Sequence, residues 1–286
     1  MKKLLYFLIV AIISFMLSLQ VIANTFVTDG LVSYWPLDKP HIFGKKAKDR
    51  WGDNNAAIKG NPEIVTGQIG DALQFDGVDD YVNLTNLGDF GSQIGSSSFE
   101  AWIKVDGKHD WMSLFGVEDD CMQWNFSIRT NIRDDIDHVR LRMAFKMKFE
   151  QNGCQGFTSL RGLPKISDGK WHHLVYSSNI YIENFGARRK ILGSHIYVDG
   201  KTLIGPKPTV RHSELLIPFE KPVYLGANNR KGAGTLFFKG GIDEVRIYNR
   251  PLSEAEVIQN FESRIGYSVE PINKLPITWA TLKANF

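Results

Sequence analysis

Residues 122–149 read MQWNFSIRTNIRDDIDHVRLRMAFKMKF and contain the clearest structural signal in the chain. From residue 139 to residue 149, apolar side chains alternate with Arg, Lys and Ala, which is the two-residue period of a strand with one buried face. Residues 122–130 alternate in the same way, and a polar segment connects the two runs. The sequence therefore predicts a β-hairpin with an apolar underside and a polar outer face.

On both sides of this hairpin, from Leu31 to Tyr248, short apolar or alternating runs are separated by turns that contain Gly, Pro, Asn and Asp. The 26 glycines and the frequent Val, Ile, Tyr, Phe and Trp residues agree with strands joined by turns. This pattern predicts an all-β sandwich or barrel and excludes an all-helical protein.

Local signals refine this picture. The Asp-Gly pairs at 76–77 and 199–200 are predicted to be hairpin turns, because Asp and Gly tolerate left-handed backbone. Residues 242–249 are predicted to form a regularly alternating strand. If Val245 faces the core, Asp243 lies buried at the start of this strand and needs a partner, because an unpaired buried carboxylate is costly.

One helix is predicted near the end of the chain. Ser253 and Glu256 form an S-x-x-E capping box after Pro251, and the apolar residues that follow share one helical face. We expect this helix to pack against the sandwich. Beyond it, the tail at 266–286 contains two prolines and shows no clear period.

Residues 1–23 are predicted to be a signal peptide. Lys2 and Lys3 precede an apolar run that ends at Ala23 with small residues at the positions that a signal peptidase reads. The run is shorter than the roughly 20 residues of a membrane span, although an uncleaved N-terminal anchor is the alternative. The expected mature protein is one exported domain at 24–265 without a further membrane span, located in the periplasm, at the cell surface or outside the cell.

The net charge gives no reason to expect a nucleic-acid partner. The formal charge of the whole chain is +3 at pH 7. Without Lys2 and Lys3, 32 basic residues stand against 31 acidic ones, so the mature surface is nearly neutral overall.

Cys121 and Cys154 are the two cysteines of the chain. They flank the open end of the predicted hairpin, and the chain is expected to reach an oxidising compartment. A disulfide between them is therefore predicted. Two buried, reduced thiols are the alternative.

Seven segments, in fixed order over residues 30–263, resemble the laminin-G-like jelly-roll family, which belongs to the concanavalin A-like lectin and glucanase group and is related to pentraxins. The segments are LVSYWPLD (31–38), GDALQFDGVDDYVNL (70–84), SSFEAWIKV (97–105), DGKWHHLVYS (168–177), IYVDGK (196–201), YLGAN (224–228) and FKGGIDEVRIYNRPLSEAEVIQNFES (238–263). The resemblance implies a two-sheet antiparallel jelly-roll sandwich with one short C-terminal helix. Residues 106–165 depart most from the family pattern, so we expect ligand preference to reside there.

The resemblance also implies a structural Ca²⁺ ion. Related domains hold calcium where the N-terminal and C-terminal strands meet, and Asp38, Asp49 and Asp243 are the matching positions in this sequence. Carboxylate and carbonyl oxygens are the ligands that calcium prefers. The alternative is that these aspartates only cap turns by accepting hydrogen bonds from backbone amides.

Catalysis is not expected. Glycosidases of this fold carry closely spaced acidic residues, typically Glu-x-Asp-x-Glu on one strand face, and no such triplet occurs in this sequence. No G-x-S-x-G elbow and no plausible Cys-His nucleophile arrangement occurs either. A glycoside hydrolase of the same fold is therefore the least favoured function.

The polar face of the hairpin is the candidate binding surface. Basic and amide groups near an exposed aromatic ring suit a carbohydrate, in particular an anionic glycan. The candidate ligand-binding residues are Trp111, Gln123, Asn125, Arg129, Arg140, Arg142 and Lys146. The alternative is that this face is only the solvated side of a sheet.

The sequence thus predicts a non-catalytic extracellular module that binds carbohydrate or another cell-surface ligand. A structural or adhesive domain that contacts another protein is the competing prediction. The sequence does not identify the ligand, because one fold supports many functions.

Overall fold

The structure is a computed structural model that describes residues 25–84, 96–119, 122–129, 137–146, 154–185, 188–203 and 222–263. Within these ranges only the backbone is described at 96, 119, 122–125, 129, 138–146, 154–163, 178–185 and 188–194. The predicted signal peptide at 1–23, Cys121 and the tail at 266–286 lie outside the described residues.

In the described part of the chain, the first sheet, sheet A, has eight strands. They are β1 (Leu31–Trp35), β5 (Glu63–Thr66), β6 (Asp71–Asp76), β8 (Ser96–Val105), β13 (Trp171–Phe185), β14 (Arg188–Val198), β15 (Lys201–Leu203) and β19 (Lys239–Tyr248). Their spatial order is β15-β14-β13-β8-β19-β6-β5, and β1 also pairs with β19. The first and the last strand of the described chain, β1 and β19, therefore lie side by side.

The second sheet, sheet B, has eleven strands among the described residues. They are β2 (Ile42–Phe43), β3 (Lys46–Ala47), β4 (Ala56–Lys59), β7 (Tyr81–Leu84), β9 (Met112–Asp119), β10 (Met122–Arg129), β11 (Asp137–Lys146), β12 (Cys154–Leu163), β16 (Val223–Leu225), β17 (Asn228–Arg230) and β18 (Ala233–Thr235). The main path runs β12-β11-β10-β9-β16-β7-β4-β3-β2, while β17 pairs with β18 and β9. The architecture is the predicted all-β sandwich.

The hydrophobic core lies between the two sheets. Its largest members include Trp35 and Phe99 from sheet A and Phe115 and Phe126 from sheet B, each at most 1% exposed. A second, smaller cluster lies on the opposite face of sheet A. It consists of Phe26, Val27, Leu31, Tyr34, Val175, Tyr197, Tyr248, Leu252 and Val257. Sheet A therefore packs against apolar side chains on both of its faces. The surface to consider for ligand binding is the face of sheet B that points away from the core, called its outer face below.

The hairpin predicted at 122–149 is confirmed for its two described strands, 122–129 and 137–146. β10 and β11 pair antiparallel, with Phe126 opposite Leu141, and β9 and β12 extend the sheet on either side. Phe126 and Ile128 are fully buried, as the alternation predicts. Ser127 was expected on the polar face, but it too is fully buried. The alternation therefore does not predict the exposure of this residue.

Of the two predicted Asp-Gly hairpins, one is confirmed and one is wrong. The pair at 199–200 connects β14 to β15, which are hydrogen-bonded neighbours. The pair at 76–77 does form a turn, with Gly77 at φ +81°, but β6 belongs to sheet A and β7 to sheet B. The chain crosses here from one sheet to the other, and Asp80 accepts a hydrogen bond from the amide of Asp76 at this corner.

The alternation predicted for residues 242–249 is interrupted by a β-bulge. The register between β19 and β8 shifts between Asp243 and Arg246, and Glu244 has φ +54°. Ile242 and Val245 consequently both face the core. Asp243 is buried, as expected if Val245 faces inward, but it lies opposite Trp102, on the face that does not line the core.

The helix α1 (Glu254–Glu262) begins with the predicted capping box. The Ser253 side chain accepts a hydrogen bond from the amide of Glu256, and the Glu256 carboxylate accepts one from the amide of Ser253. The Phe261 ring stacks on Trp102 at a centroid distance of 5.6 Å, so the helix covers the outer face of sheet A. In the described ranges, no helix is long and apolar enough to cross a membrane.

Candidate functional site

The candidate site is the outer face of sheet B. Val82 of β7 and Leu225 of β16 belong to the core. Since successive residues of a strand point to opposite faces, Tyr81, Asn83 and Tyr224 lie on the outer face. This is the face to which the polar positions of the β10–β11 hairpin also belong.

One cross-strand row runs across this face from β4 to β12. The strand registers define its members as Ala57, Asn83, Tyr224, Gly116, Asn125, Arg142 and Thr158. Neighbouring strands are about 4.8 Å apart, so Tyr224 and Arg142, three strands apart, are separated by about 14 Å. The row combines two amides, a phenol, a hydroxyl and a guanidinium group and contains no carboxylate.

The structure brings the predicted ligand-binding residues to one end of this face. Gln123, Asn125 and Arg129 lie in β10, and Arg140, Arg142 and Lys146 lie in β11. Trp111 directly precedes β9, whose first residue, Met112, pairs with Ile128, so Trp111 adjoins the Arg129 end of β10. The side chains of the six strand residues lie outside the described part of the structure, and their role stays a prediction.

An aromatic cluster lies at the other end of the same face. The ring of Tyr81 stacks on Tyr224 at a centroid distance of 4.4 Å, and Phe237 lies 6.3 Å from Tyr81. Tyr224 is only 5% exposed, whereas Tyr81 and Phe237 are half-buried. Sequence reasoning missed this cluster. The alternation of YVNL at 81–84 indicates the direction of Tyr81, but no local signal indicates that β7 pairs with β16.

Asp49, a predicted calcium ligand, is used as a turn cap. Its carboxylate accepts hydrogen bonds from the backbone amides of Tyr34, Trp51, Gly52 and Asn54 at 2.9–3.1 Å. The side chain is 3% exposed. Four amide donors satisfy both carboxylate oxygens, which agrees with the turn-capping alternative for this residue.

Asp38 and Asp243 lie near each other at a different point, beneath the loop that joins β5 to β6. Asp243 Oδ2 accepts hydrogen bonds from the amides of Gln68 and Ile69, at 2.8 and 3.0 Å. Asp38 Oδ1 accepts one from the amide of Asp71 at 2.6 Å. Asp243 Oδ1 is buried and has no hydrogen-bond partner among the described residues. Burial, with the charge of Glu244 as the next cause, raises the pKa of Asp243 to about 9.

Asp38 and Asp243, two of the three predicted calcium ligands, have features that suit a bound cation. Asp243 Oδ1 is a buried acceptor without a partner among the described residues, and the Asp38 carboxylate is close enough to raise the pKa of Asp243. A divalent ion would stabilise both groups. Asp49 does not join them, because the three residues do not bring their oxygens within 4.8 Å of one another. Calcium binding therefore stays a prediction for Asp38 and Asp243, with backbone carbonyls as further ligands.

In the described residues, one trio of acidic groups does meet that distance limit: Asp76, Asp79 and Asp80. Asp76 Oδ1 accepts hydrogen bonds from the amides of Val78 and Asp79. Asp80 accepts them from the amides of Asp76 and Asn61. Asp76 and Asp80 therefore cap the corner between β6 and β7.

A buried ionic network lies on the outer face of sheet A. Arg246 donates to Glu100 at 2.8 Å and to Glu244, and Tyr34 donates to Glu244 at 2.7 Å. Burial raises the pKa of Glu100, but the His173 ring 3.6 Å away and the Arg246 charge outweigh this effect and hold the pKa at about 2. All these groups are at most 1% exposed, so they are closed to a substrate.

Only one of the two cysteines of the predicted disulfide lies in the described part of the structure. Cys154 is the first residue of β12 and lies opposite Lys146 of β11. Cys121 lies outside the described residues, so the distance between the two sulfur atoms is not described. The predicted disulfide therefore stays a prediction.

Comparison with known proteins agrees with this architecture. A family model described as the concanavalin A-like lectin/glucanases superfamily matches residues 76–258. The chain belongs to this superfamily. The resemblance and the jelly-roll sandwich expected from the sequence are thereby confirmed. A search of curated protein sequences found no significant match.

Solved structures of concanavalin A-like type share the fold of the chain at low sequence identity. Trypanosoma rangeli sialidase in complex with sialic acid is 18% identical, with a TM-score of 0.56 over 83% of this chain and 33% of its own. The binding domain of botulinum neurotoxin serotype C1 is 17% identical, with a TM-score of 0.55 over 83% of this chain and 53% of its own. The chain thus spans a third to a half of the length of these two proteins.

A third structure matches over nearly its whole length. Domain 4 of AbnA, an extracellular arabinanase of family GH43 from Geobacillus stearothermophilus, was solved in complex with arabinotriose. It is 19% identical, with a TM-score of 0.50 over 80% of this chain and 97% of that domain. At these identities the similarity concerns the fold.

Proposed function

We propose that the protein is a non-catalytic carbohydrate-binding module whose ligand lies on the outer face of sheet B. The observation that carries the proposal is the cross-strand row from Asn83 through Tyr224 and Asn125 to Arg142. Amide and guanidinium groups in one row supply the hydrogen bonds that sugar hydroxyls and carboxylates require, while Tyr224 lies buried between them. A row about 14 Å long, from Tyr224 to Arg142, suits an oligosaccharide better than a single small ion.

The neighbours support a sugar ligand. Sialic acid lies in the sialidase structure, and arabinotriose lies in domain 4 of AbnA. A neurotoxin binding domain of the same fold was solved with a sialylated ligand named SialylT. Two of these three ligands contain sialic acid, an anionic sugar, which is the chemistry that Arg140 and Arg142 suit.

Binding without catalysis is favoured by the placement of the acidic groups. In the described part of the chain, the closely spaced carboxylates Glu100 and Glu244 are fully buried and share the Arg246 guanidinium. In the acidic trio at 76–80, the carboxylates of Asp76 and Asp80 accept hydrogen bonds from backbone amides. A retaining or inverting glycosidase needs an acid and a second carboxylate facing the same sugar.

Calcium is part of the proposal as a structural ion at Asp38 and Asp243. Such an ion would lie beneath the β5–β6 loop, next to β19, and its role would be to fix that loop. It would not touch a ligand on the outer face of sheet B.

The test is a glycan array probed with the wild-type protein, with Arg140→Ala combined with Arg142→Ala, and with a charge-matched control. Each exposed contact is worth about 1 kcal/mol or less, so the double variant should bind an anionic glycan up to about thirtyfold more weakly and with less salt dependence. The control replaces Lys201 and Lys239, two exposed lysines of sheet A, by Ala.

Equal binding by the double variant and the control would remove the basic part of this face from the site. Silence of the wild type on the array, together with a protein partner recovered in a pull-down, would favour the competing role as a structural or adhesive domain.

A further inference from the structure

The aromatic end of sheet B differs chemically from its basic end. Tyr224 fills the space under Tyr81, and its hydroxyl donates to the carbonyl of Gly232 at 3.3 Å. Burial raises the pKa of Tyr224, and the neighbouring Tyr81 raises it further. Tyr224 is thus a neutral, buried support for the half-buried ring of Tyr81, and the half-buried ring of Phe237 lies beside Tyr81.

The hairpin of β17 and β18 holds these rings in place. The Asn229 side chain accepts a hydrogen bond from the amide of Gly232 at 2.8 Å and donates one to the carbonyl of Pro222 at 2.6 Å. A Cβ atom at Gly234 would lie 2.8 Å from the Phe237 ring, so only glycine lets this ring lie against the hairpin. The rings are therefore positioned before a ligand arrives, which lowers the entropy cost of binding.

Polar groups border the two rings. Asn83 is two residues along β7 from Tyr81, and its carboxamide oxygen has no hydrogen-bond partner among the described residues. Lys59 lies opposite Tyr81 in β4 and is exposed. A buried acceptor without a partner is costly, so a water molecule or a ligand hydroxyl at Asn83 would be stabilising.

We propose that Tyr81 and Phe237 form a stacking surface for the apolar face of one neutral sugar ring, with Asn83 as its polar neighbour. A sugar ring presents C–H groups on one face and hydroxyl groups around its edge. Two fixed aromatic rings beside an amide match this division, as binding sites with apolar walls and few polar groups do. The inference rests on the proposed carbohydrate-binding function and places a neutral subsite on β7, four strands or about 19 Å from Arg142 on β11.

Titration calorimetry with a defined panel tests the subsite. The probes are the neutral trisaccharides arabinotriose, cellotriose, maltotriose and xylotriose, and sialic acid as the anionic probe. For at least one neutral probe, Tyr81→Leu and Phe237→Leu should each weaken binding by about tenfold, since aromatic stacking is lost while apolar volume is largely kept. Tyr81→Phe keeps the ring and should bind nearly as well as the wild type.

The matched control is Phe43→Leu, because Phe43 is 62% exposed at the tip of the β2–β3 hairpin, at the edge of sheet B and three strands away from β7. It should change no affinity. Melting curves of all variants should match that of the wild type. If Tyr81→Leu alone is destabilised, the affinity of Phe237→Leu for the neutral probes tests the subsite.

Three results would overturn the inference. The first is neutral binding that survives both Leu variants, and the second is an equal loss with Phe43→Leu. The third is binding of sialic acid but of no neutral probe, which would leave the proposed function standing and remove only the stacking subsite. Binding of no probe at all would overturn both.

Discussion

Replacement of Asn260 by Ala should release helix α1 and the first described residues from sheet A. The Asn260 carboxamide donates to Glu100 Oε2 at 2.8 Å and to the hydroxyl oxygen of Tyr248 at 3.1 Å, and it accepts from the amide of Val27 at 2.7 Å. The residue is fully buried, so water cannot replace these partners. One side chain thereby joins three segments that are distant in the sequence.

The size of the effect follows from these bonds. A neutral hydrogen bond contributes about 1 kcal/mol and a bond to a charged group about 1.5–3 kcal/mol, so we expect Asn260→Ala, which removes two neutral bonds and one charged one, to lower the free energy of unfolding by about 3.5–5 kcal/mol. For a domain of this size that corresponds to about 10 °C in Tm. Asn260→Asp should be worse, because it replaces the donor by a second carboxylate against Glu100.

Urea denaturation followed by tryptophan fluorescence measures the loss. The control is Gln259→Ala, one residue earlier on the helix, whose side chain donates to the carbonyl of Thr25 at 2.8 Å from an exposed position. This change should cost less than about 1 kcal/mol. If both Asn260 variants lose no more than the control, the buried hydrogen bonds do not hold the helix, and the reasoning is refuted.

Three further predictions concern pH, metal and thiols. Burial raises the pKa of Asp243 to about 9. In the presence of a chelator, so that no metal ion is bound, the protonated carboxyl group should stabilise the fold fully below about pH 4. This stabilisation should decrease as the pH rises toward 9. Wild-type Tm should therefore fall toward pH 9 relative to Asp243→Asn, and calcium should raise Tm of the wild type only; identical curves would contradict this. The pKa of His172 is raised above its ordinary value, mainly by the hydrogen bond to Asp199, so the stabilising effect of the charged ring should be fully present below about pH 6.5 and be lost as the pH rises through the raised pKa. His172→Gln should remove this step in Tm, and an unchanged profile would count against the pair. Mass spectrometry of the unreduced protein should show the loss of two hydrogens at Cys121 and Cys154, and reduction should cost about 3 kcal/mol; two thiols that alkylate without denaturant would exclude the bridge.

Periodicity and capping predicted the parts of the fold that depend on local sequence. The β10–β11 hairpin and helix α1 are examples, because a two-residue period and an S-x-x-E box act within a few residues. The crossing at Asp76-Gly77 was missed for the same reason. The same Asp-Gly turn serves a hairpin and a corner between sheets, and the difference lies in Asp80 and in strand partners far along the chain.

The candidate site was predictable only where its residues are neighbours in sequence. The polar positions of β10 and β11 follow from alternation. Tyr81, Tyr224 and Phe237 meet only because β7 pairs with β16, a pairing that depends on the whole topology. Among the predicted calcium ligands, Asp49 could be distinguished from Asp38 and Asp243 only by finding which backbone amides surround it.

The docking of helix α1 also determines on which side the domain can be attached to a linker or a support. Thr25 and α1 are in hydrogen-bond contact, and both lie on the outer face of sheet A. The two ends of the described fold thus leave from one side, with the whole thickness of the sandwich between them and the outer face of sheet B. A linker, a tag or a solid support joined at either end would leave that face turned toward solution, and joining the ends by a short peptide should permit circular permutation at the tip of the β2–β3 hairpin.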